Sequence, residues 1–162
     1  MVALAEVGAA AQGNPYPTGI LEGHETALCL FAAGFYGAQD GYWIHQAGLR
    51  ATCVDIRPGR LAEMKQMYPD DWDFVVEEVF DFTERAEIER RRWDIVSVDC
   101  PSGMFDECAE HADLWCSVAR HAVILGTGRN TAVSPPDGWT ATGKVRRSNY
   151  QGGVYWSVLE PV

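Results

Sequence analysis

Residues 27–55 constrain the fold of this chain more than any other stretch, because they have the pattern of one strand–turn–helix–strand unit. Residues 27–31 form a short apolar run, which is typical of a strand buried on both faces of a parallel sheet. The sequence AAGFYG follows at residues 32–37, where small residues permit a sharp turn. Residues 38–47 then predict a helix, and residues 51–54 predict the second strand.

An acidic residue closes this unit. Asp55 follows the second strand and lies 21 residues after Gly34. Doubly wound nucleotide-binding folds place an acid there, where it accepts hydrogen bonds from ribose hydroxyls. The glycine pattern is incomplete, because GFYG has fewer glycines than G-x-G-x-x-G, so an ordinary turn also accounts for it. The spacing predicts a nucleotide site with Gly34 against the ligand and Asp55 at the ribose.

The rest of the chain repeats the alternation of strand and helix. Further strands are predicted at residues 74–76, 93–98 and 121–125. Helices are predicted from Pro58 to about Tyr68, at residues 83–92 and at residues 105–120. After a loop rich in glycine and proline, two last strands are predicted at residues 139–147 and 153–159. The fold class is therefore α/β, with a doubly wound, mostly parallel sheet and an antiparallel C-terminal hairpin.

The length predicts one domain, since 162 residues can bury a core of their own. We expect a lead-in arm and loop at residues 1–26, a βα core at residues 27–125 and the terminal hairpin at residues 139–159. The formal net charge of -10 repels phosphate backbones, so a nucleic-acid partner would need a local basic patch.

The cysteines indicate a reducing compartment. The chain has five of them, with no C-x-x-C spacing, so we expect reduced core thiols in a cytoplasmic protein and no metal site. No apolar run approaches the roughly 18 residues of a membrane span, and the first residues lack the pattern of a signal peptide. We therefore expect no membrane association.

Four features together resemble a known family. They are the order of the elements, the loop AAGFYG with Asp55 after it, the run DFVVEEVFDF at residues 73–82 and the run WDIVSVDCPS at residues 93–102. From about residue 27 to residue 159 the chain resembles the class I S-adenosylmethionine-dependent methyltransferases. It differs from them at Ala32, where members usually carry an acid, and at Tyr36, where a glycine is common.

The resemblance implies a Rossmann-like fold, S-adenosylmethionine as the cofactor and methyl transfer as the activity. In that family the glycine-rich loop surrounds the methionine part of the cofactor, and the acid at Asp55 holds the ribose. Glu78 stands where the adenine amino group is contacted, and Val79 lies beside the ring. The predicted cofactor-binding residues are Ala33, Gly34, Tyr36, Gly37, Asp55, Ile56, Glu78, Val79 and Asp99.

Asp99 is also the predicted catalytic residue, because a carboxylate beside the acceptor can orient an amine or hydroxyl or take its proton. Capping a helix or fixing the loop is an equally good explanation for Asp99. Cys100 is a second candidate, as a nucleophile, but a small buried side chain is the simpler role for a cysteine.

Two other functions stay open at this stage. The first is a methyltransferase-like binding or accessory subunit without activity, and the second is a nicotinamide-dinucleotide-binding Rossmann protein, which rests on Asp55 and Arg57 alone. We expect no separate substrate-recognition domain, so the acceptor would meet the loops themselves or a partner subunit.

The basic residues of the terminal hairpin bear on the acceptor. Lys144, Arg146 and Arg147 lie near the aromatic residues Tyr150, Tyr155 and Trp156 in the sequence, a combination that could meet an anionic acceptor. Basic and apolar residues that alternate along a strand more often indicate one solvated face. We therefore expect a small molecule or a protein as the acceptor in preference to a nucleic acid.

Overall fold

A computed structural model describes residues 13–32, 37–147 and 154–162, without the side chains of residues 37–40. The strands are β1 (Thr26–Leu30), β2 (Arg50–Asp55), β3 (Asp73–Val76), β4 (Trp93–Val98), β5 (Ala119–Gly128), β6 (Trp139–Ala141), β7 (Val145–Arg146) and β8 (Val154–Pro161). The α-helices are α1 (Gly37–Gln46), α2 (Pro58–Met67), α3 (Val79–Ile88), α4 (Phe105–Glu110) and α5 (Ala112–Ser117). A 3-10 turn, Ser102–Met104, precedes α4.

All the strands belong to one sheet with the order β3-β2-β1-β4-β5-β8-β6, and β7 also pairs with β8. Strands β1 to β5 are parallel to one another, whereas β8 runs antiparallel to β5, β6 and β7. The predicted fold class is therefore confirmed. The chain builds outward from β1 to β3 and then returns to add β4 on the other side of β1, so β1 and β4 border the topological switch point.

Alternate residues of the central strands pack into two apolar cores, one on each face of the sheet. Ala27 and Cys29 of β1 pack with Ile44 of α1 and with Leu61 and Met64 of α2. The residues between and after them pack on the other face, where a separate apolar cluster contains Leu28, Leu30, Phe82, Cys108 and Trp115. Successive strand side chains point to opposite faces, so a strand that is apolar throughout needs helices on both sides.

Helix α3 begins four residues earlier than the sequence predicts, at Val79, and ends at Ile88. The side chain of Glu78 explains the early start, because it accepts a hydrogen bond from the backbone N–H of Asp81 at 3.0 Å and so caps the helix. Past the helix end, Arg90 has a φ of 58°, the left-handed conformation that commonly terminates helices. The helix predicted over residues 83–92 therefore has the wrong start and end residues.

The helix predicted over residues 105–120 is also wrong, because His111 divides it into α4 and α5. The backbone N–H of His111 donates to the carbonyl of Cys108, three residues back, in place of the usual fourth. The second short helix ends at Ser117, and β5 begins at Ala119, earlier than the sequence predicts. The stretch predicted as one strand over residues 139–147 likewise divides into β6 and β7.

Strand β8 also holds the loop that leads into β1. The indole N–H of Trp156 donates to the backbone carbonyl of Pro15 at 2.8 Å, and the Tyr16 ring stacks on the Trp156 ring with centroids 5.5 Å apart. The Tyr16 hydroxyl reaches the hydroxyl of Ser97 in β4 at 3.1 Å. None of the described helices is long and apolar enough to span a membrane.

Candidate functional site

A cavity of about 610 Å³ opens at the carboxyl ends of the parallel strands, the edge of a doubly wound sheet at which ligands bind. Its wall combines apolar side chains with a few charged ones, the composition typical of small-molecule sites. The lining residues are Phe31, Asp55, Ile56, Arg57, Glu78, Val79, Asp99, Cys100, Pro101, Ser102, Met104, Phe105, Arg147 and Val154.

The structure brings most of the predicted site residues to this one cavity. The predicted residues that line it are Asp55, Ile56, Glu78, Val79 and Asp99. Gly37 is the first residue of α1. Ala33, Gly34 and Tyr36 lie outside the described residues. These positions establish which predicted residues line the cavity. The binding role of each residue stays a prediction.

Asp55 forms an ion pair with Arg57 at one end of the cavity. One carboxylate oxygen accepts from the backbone N–H and from Nε of Arg57, each at 3.0 Å, and the other accepts from Nη2 at 3.1 Å. This hydrogen bonding raises the pKa of Arg57 against the opposing effect of burial. The Asp55 side chain is 4% exposed and that of Arg57 is 49% exposed, so the acid is fixed and the base can turn into solvent.

Asp99 forms a second ion pair at the opposite end, with Nη1 of Arg147 at 2.5 Å. The guanidinium carbon of Arg147 also lies 4.7 Å from the ring centroid of Trp156, a cation–π contact. The Arg147 side chain is 1% exposed. The solvated face predicted for the hairpin is therefore wrong at Arg147, and sequence reasoning missed a residue of the cavity wall.

The other two basic residues of the hairpin differ from Arg147. Lys144 donates through Nζ to the backbone carbonyls of Gly128 and Arg129, and burial lowers its pKa. It therefore ties two loops together. Arg146 is exposed, as the sequence predicts for a solvated face. A single exposed arginine is a small patch for a phosphate backbone.

The thiol of Cys100 lies in the cavity wall and donates to the backbone carbonyl of Gly126 at 3.6 Å. A hydrogen bond with Cys108 and burial both raise the pKa of Cys100 far above its ordinary value. A thiol acts as a nucleophile only when ionised. The nucleophile hypothesis for Cys100 is therefore disfavoured, and the simpler role of a small buried residue fits.

Backbone strain occurs where β1 meets the cavity. Phe31, directly after β1, has a φ of 59° and lines the cavity. A bulky residue in the left-handed region costs on the order of 1–3 kcal/mol, and such conformations concentrate at binding sites. The strain lies beside the topological switch point, which supports a ligand site there.

The charged groups of the cavity come from the ends of different strands. Carboxylates follow β2, β3 and β4 as Asp55, Glu78 and Asp99, and arginines accompany the first and the last of them. Carboxylates can accept hydrogen bonds from hydroxyl and amino groups of a ligand, and they favour positive charge. Among the described residues, no group of three or more His, Cys, Asp and Glu side chains could hold a metal ion.

Comparison with solved structures identifies the fold, whereas no family model and no curated protein matches the sequence. The O-methyltransferase from Bacillus cereus in complex with SAH aligns over 99% of this chain and 88% of its own, with a TM-score of 0.62 and 14% identity. Fibrillarin from Aeropyrum pernix, with natively bound S-adenosyl-L-methionine, aligns over 96% and 75%, with a TM-score of 0.64 and 11% identity.

TrmN from Thermus thermophilus aligns over 87% of this chain and 45% of its own, with a TM-score of 0.59 and 15% identity. These similarities are at the level of the backbone, since the identities are below one residue in five. They agree with the sheet order and with the antiparallel β8. The chain has a class I methyltransferase fold.

Proposed function

We propose that this chain is an S-adenosylmethionine-dependent methyltransferase whose transfer site is the cavity at the carboxyl ends of β1 to β4. The carrying observation is that Asp55, Glu78 and Asp99, from three strand ends, line one cavity of about 610 Å³ at the topological switch point. The volume lies within the range of about 300–1,000 Å³ usual for small-molecule sites.

The residues of the cavity suit this cofactor. Asp55 can accept hydrogen bonds from the ribose hydroxyls once Arg57, whose side chain is 49% exposed, turns outward. Glu78 and Val79 would hold the adenine, with Ile56 against the ring. Ala33, Gly34, Tyr36 and Gly37 are proposed contacts of the methionine part, and Asp99 borders the transferred group.

The cofactor, when bound, supplies a methyl group on a positively charged sulfur. The protein needs to hold donor and acceptor about 3–3.5 Å apart and to exclude water, so little side-chain chemistry is required. The apolar side chains Pro101, Met104, Phe105 and Val154 can exclude water on the acceptor side. Asp99 would orient the acceptor there, and its ion pair with Arg147 would hold the carboxylate in place.

For the acceptor we propose a small molecule or a protein side chain. The net charge of -10 opposes a nucleic acid, Arg147 is buried and Lys144 is bound to backbone carbonyls. We place the protein in the cytoplasm, since all five cysteines are free and buried. Tight, salt-sensitive binding of DNA or RNA to the purified protein would contradict this acceptor class.

Calorimetric titration tests the proposal. The purified protein should bind S-adenosylmethionine and S-adenosylhomocysteine but neither NAD nor NADP. Asp55→Ala should weaken both ligands, whereas the exposed acid Asp71, outside the cavity, offers a matched control in Asp71→Ala. Binding of NAD in place of S-adenosylmethionine would refute the proposal.

Transfer itself needs a second measurement. Incubation with cofactor labelled on the methyl group, in the presence of extracts and small-molecule pools, should move label to an acceptor. Cofactor binding without transfer to any acceptor would instead indicate the accessory-subunit alternative.

A further inference from the structure

The two charges of the Asp99–Arg147 pair are unequally accessible. Asp99 has a side chain 18% exposed, whereas that of Arg147 is 1% exposed and packs on the Trp156 ring. Both residues line the cavity. The carboxylate is therefore the half of the pair that a ligand can approach more freely.

Asp99 also lies at a distinct place in the cavity. Leu30 and Val98 are register partners, and the backbone N–H of Asp99 donates to the carbonyl of Leu30 at 3.3 Å, so Asp99 sits beside the end of β1. Asp55 and Glu78 follow β2 and β3, on the far side of β1. If the ribose and adenine occupy that far side, as the proposed function requires, the sulfonium lies toward Asp99.

Methyl transfer changes the charge at this point. The acceptor lone pair forms a bond to the methyl carbon while the carbon–sulfur bond breaks, and its electron pair stays on sulfur. Sulfur thereby loses its positive charge, and the acceptor either gains that charge or releases a proton. An unpaired carboxylate beside the sulfonium would stabilise the reactant more than the transition state, which would slow the transfer.

We propose that Arg147 is a positioning residue that acts through Asp99. Its ion pair holds the carboxylate in one orientation and offsets its negative charge, so that the cavity does not retain the sulfonium form too tightly. The inference rests on the proposed function and concerns its electrostatics. The alternative is a clasp, in which the ion pair only connects the loop after β4 to the hairpin. In that case the site would have no preference for ligand charge.

The ratio of two dissociation constants separates these roles. S-adenosylmethionine and S-adenosylhomocysteine differ by the methyl group and one positive charge, so their ratio reports the field at sulfur. Calorimetry should be done on the wild type and on Arg147→Met, Arg147→Lys and Asp99→Asn. Arg146→Met is the matched control, because Arg146 is the exposed neighbour outside the cavity wall.

The two charge-removing variants should move this ratio in opposite directions. Arg147→Met leaves the carboxylate unpaired, so the ratio of the S-adenosylmethionine constant to the S-adenosylhomocysteine constant should fall about fivefold. Asp99→Asn removes the carboxylate charge and keeps the guanidinium charge, so the ratio should rise about tenfold, or about 1.4 kcal/mol. Arg147→Lys and Arg146→Met should leave it within about twofold of the wild type.

Circular dichroism and melting curves establish that each variant is folded. Equal weakening of both ligands by Arg147→Met and Asp99→Asn would show a clasp and overturn the inference alone. A wild type that binds neither ligand would overturn the proposed function first. If Arg147→Met does not fold, the contrast between Asp99→Asn and Arg147→Lys decides, and an unchanged ratio in both refutes the inference.

Discussion

The cavity has an aspartate–arginine pair at each end, and the two pairs are built in opposite ways. In the Asp55–Arg57 pair the acid is buried, with 4% of its side chain exposed, and the base is 49% exposed. In the Asp99–Arg147 pair the acid is 18% exposed and the base 1%. The sequence separation differs as well, since the partners are two residues apart in one pair and 48 apart in the other.

This contrast indicates different physical roles. Arg57 can lose its partner and become hydrated, because half of its side chain is already in water. Arg147 cannot become hydrated in this way, because its side chain is 1% exposed and a buried charge is costly. The Asp55 end is therefore suited to exchanging one partner for another, and the Asp99 end is suited to holding a fixed geometry.

The largest effect should come from breaking the fixed pair. Asp99→Ala leaves the guanidinium of Arg147 buried without this partner, which should lower the free energy of unfolding by about 3 kcal/mol. Urea denaturation at pH 7 measures it. The double variant with Arg147→Met should recover part of the loss, because the buried guanidinium charge is then absent, and a double variant as unstable as Asp99→Ala would contradict a fixed pair.

The Asp55 end should affect binding more than folding. Asp55→Ala should weaken S-adenosylmethionine binding by about 1.5–3 kcal/mol, the scale of hydrogen bonds to a charged group. The free energy of unfolding should change by less than half of that amount, because Arg57 becomes hydrated. Calorimetry and urea denaturation on the same samples test the contrast, and unaltered affinity in a folded variant would remove the ribose assignment.

Asp94, near the start of β4, is a carboxylate outside the cavity, and it can be compared with the two aspartates of the cavity. Burial opposes its ionisation, but hydrogen bonds from the backbone N–H groups of Glu25 and Thr26 and from Arg120 bring its pKa below 3.8. A lowered pKa contributes stability above pH 3.8 that is lost as the pH falls through the folded value.

We therefore expect Asp94→Asn to cost about 1 kcal/mol of unfolding free energy at pH 7 and to flatten its decline below pH 3.8. Cofactor affinity should not change. Denaturation curves between pH 2 and pH 7, compared with the wild type, measure the effect. A decline in acid as steep as that of the wild type would contradict the assignment.

The smallest effect should come from the exposed base. Arg57→Met should change the free energy of unfolding by less than about 1 kcal/mol, because exposed ion pairs contribute little. It removes the competitor for Asp55, so cofactor affinity should hold or increase. Weaker binding, measured by calorimetry, would show that Arg57 itself contacts the cofactor and that the two ends are less different than their exposures indicate.

The parts predicted well are those that local patterns determine. The apolar run of β4 matches residues 93–98, because alternate burial on both faces leaves few other structures for such a run. A similar apolar run predicts that β2 ends at Asp55. Because Asp55 lies at the carboxyl end of a parallel strand, it also lies in the cavity. Strand ends in a parallel sheet meet at one edge, so acids that follow strands come together.

The errors arise where single hydrogen bonds or distant contacts decide the structure. The start of α3 depends on the capping side chain of Glu78, and the division at His111 depends on a local hydrogen-bond shift that periodicity does not show. Arg147 was missed because its burial requires Asp99 and Trp156, neither of which is near enough in sequence to form a pattern. In the sequence, two adjacent arginines indicate a solvated face of a strand. The contacts that bury one of them appear only in the tertiary structure.

The position of β8 has a consequence for folding. The last strand of the chain lies between β5 and β6, and β6 and β7 find their described partners on it. Its Trp156 also bonds to Pro15, across 141 residues. Contacts of such long range raise the contact order and slow folding. During synthesis, β1 to β5 can assemble early, but this edge of β5 stays unpaired until β8 has left the ribosome, and such an edge is prone to aggregate.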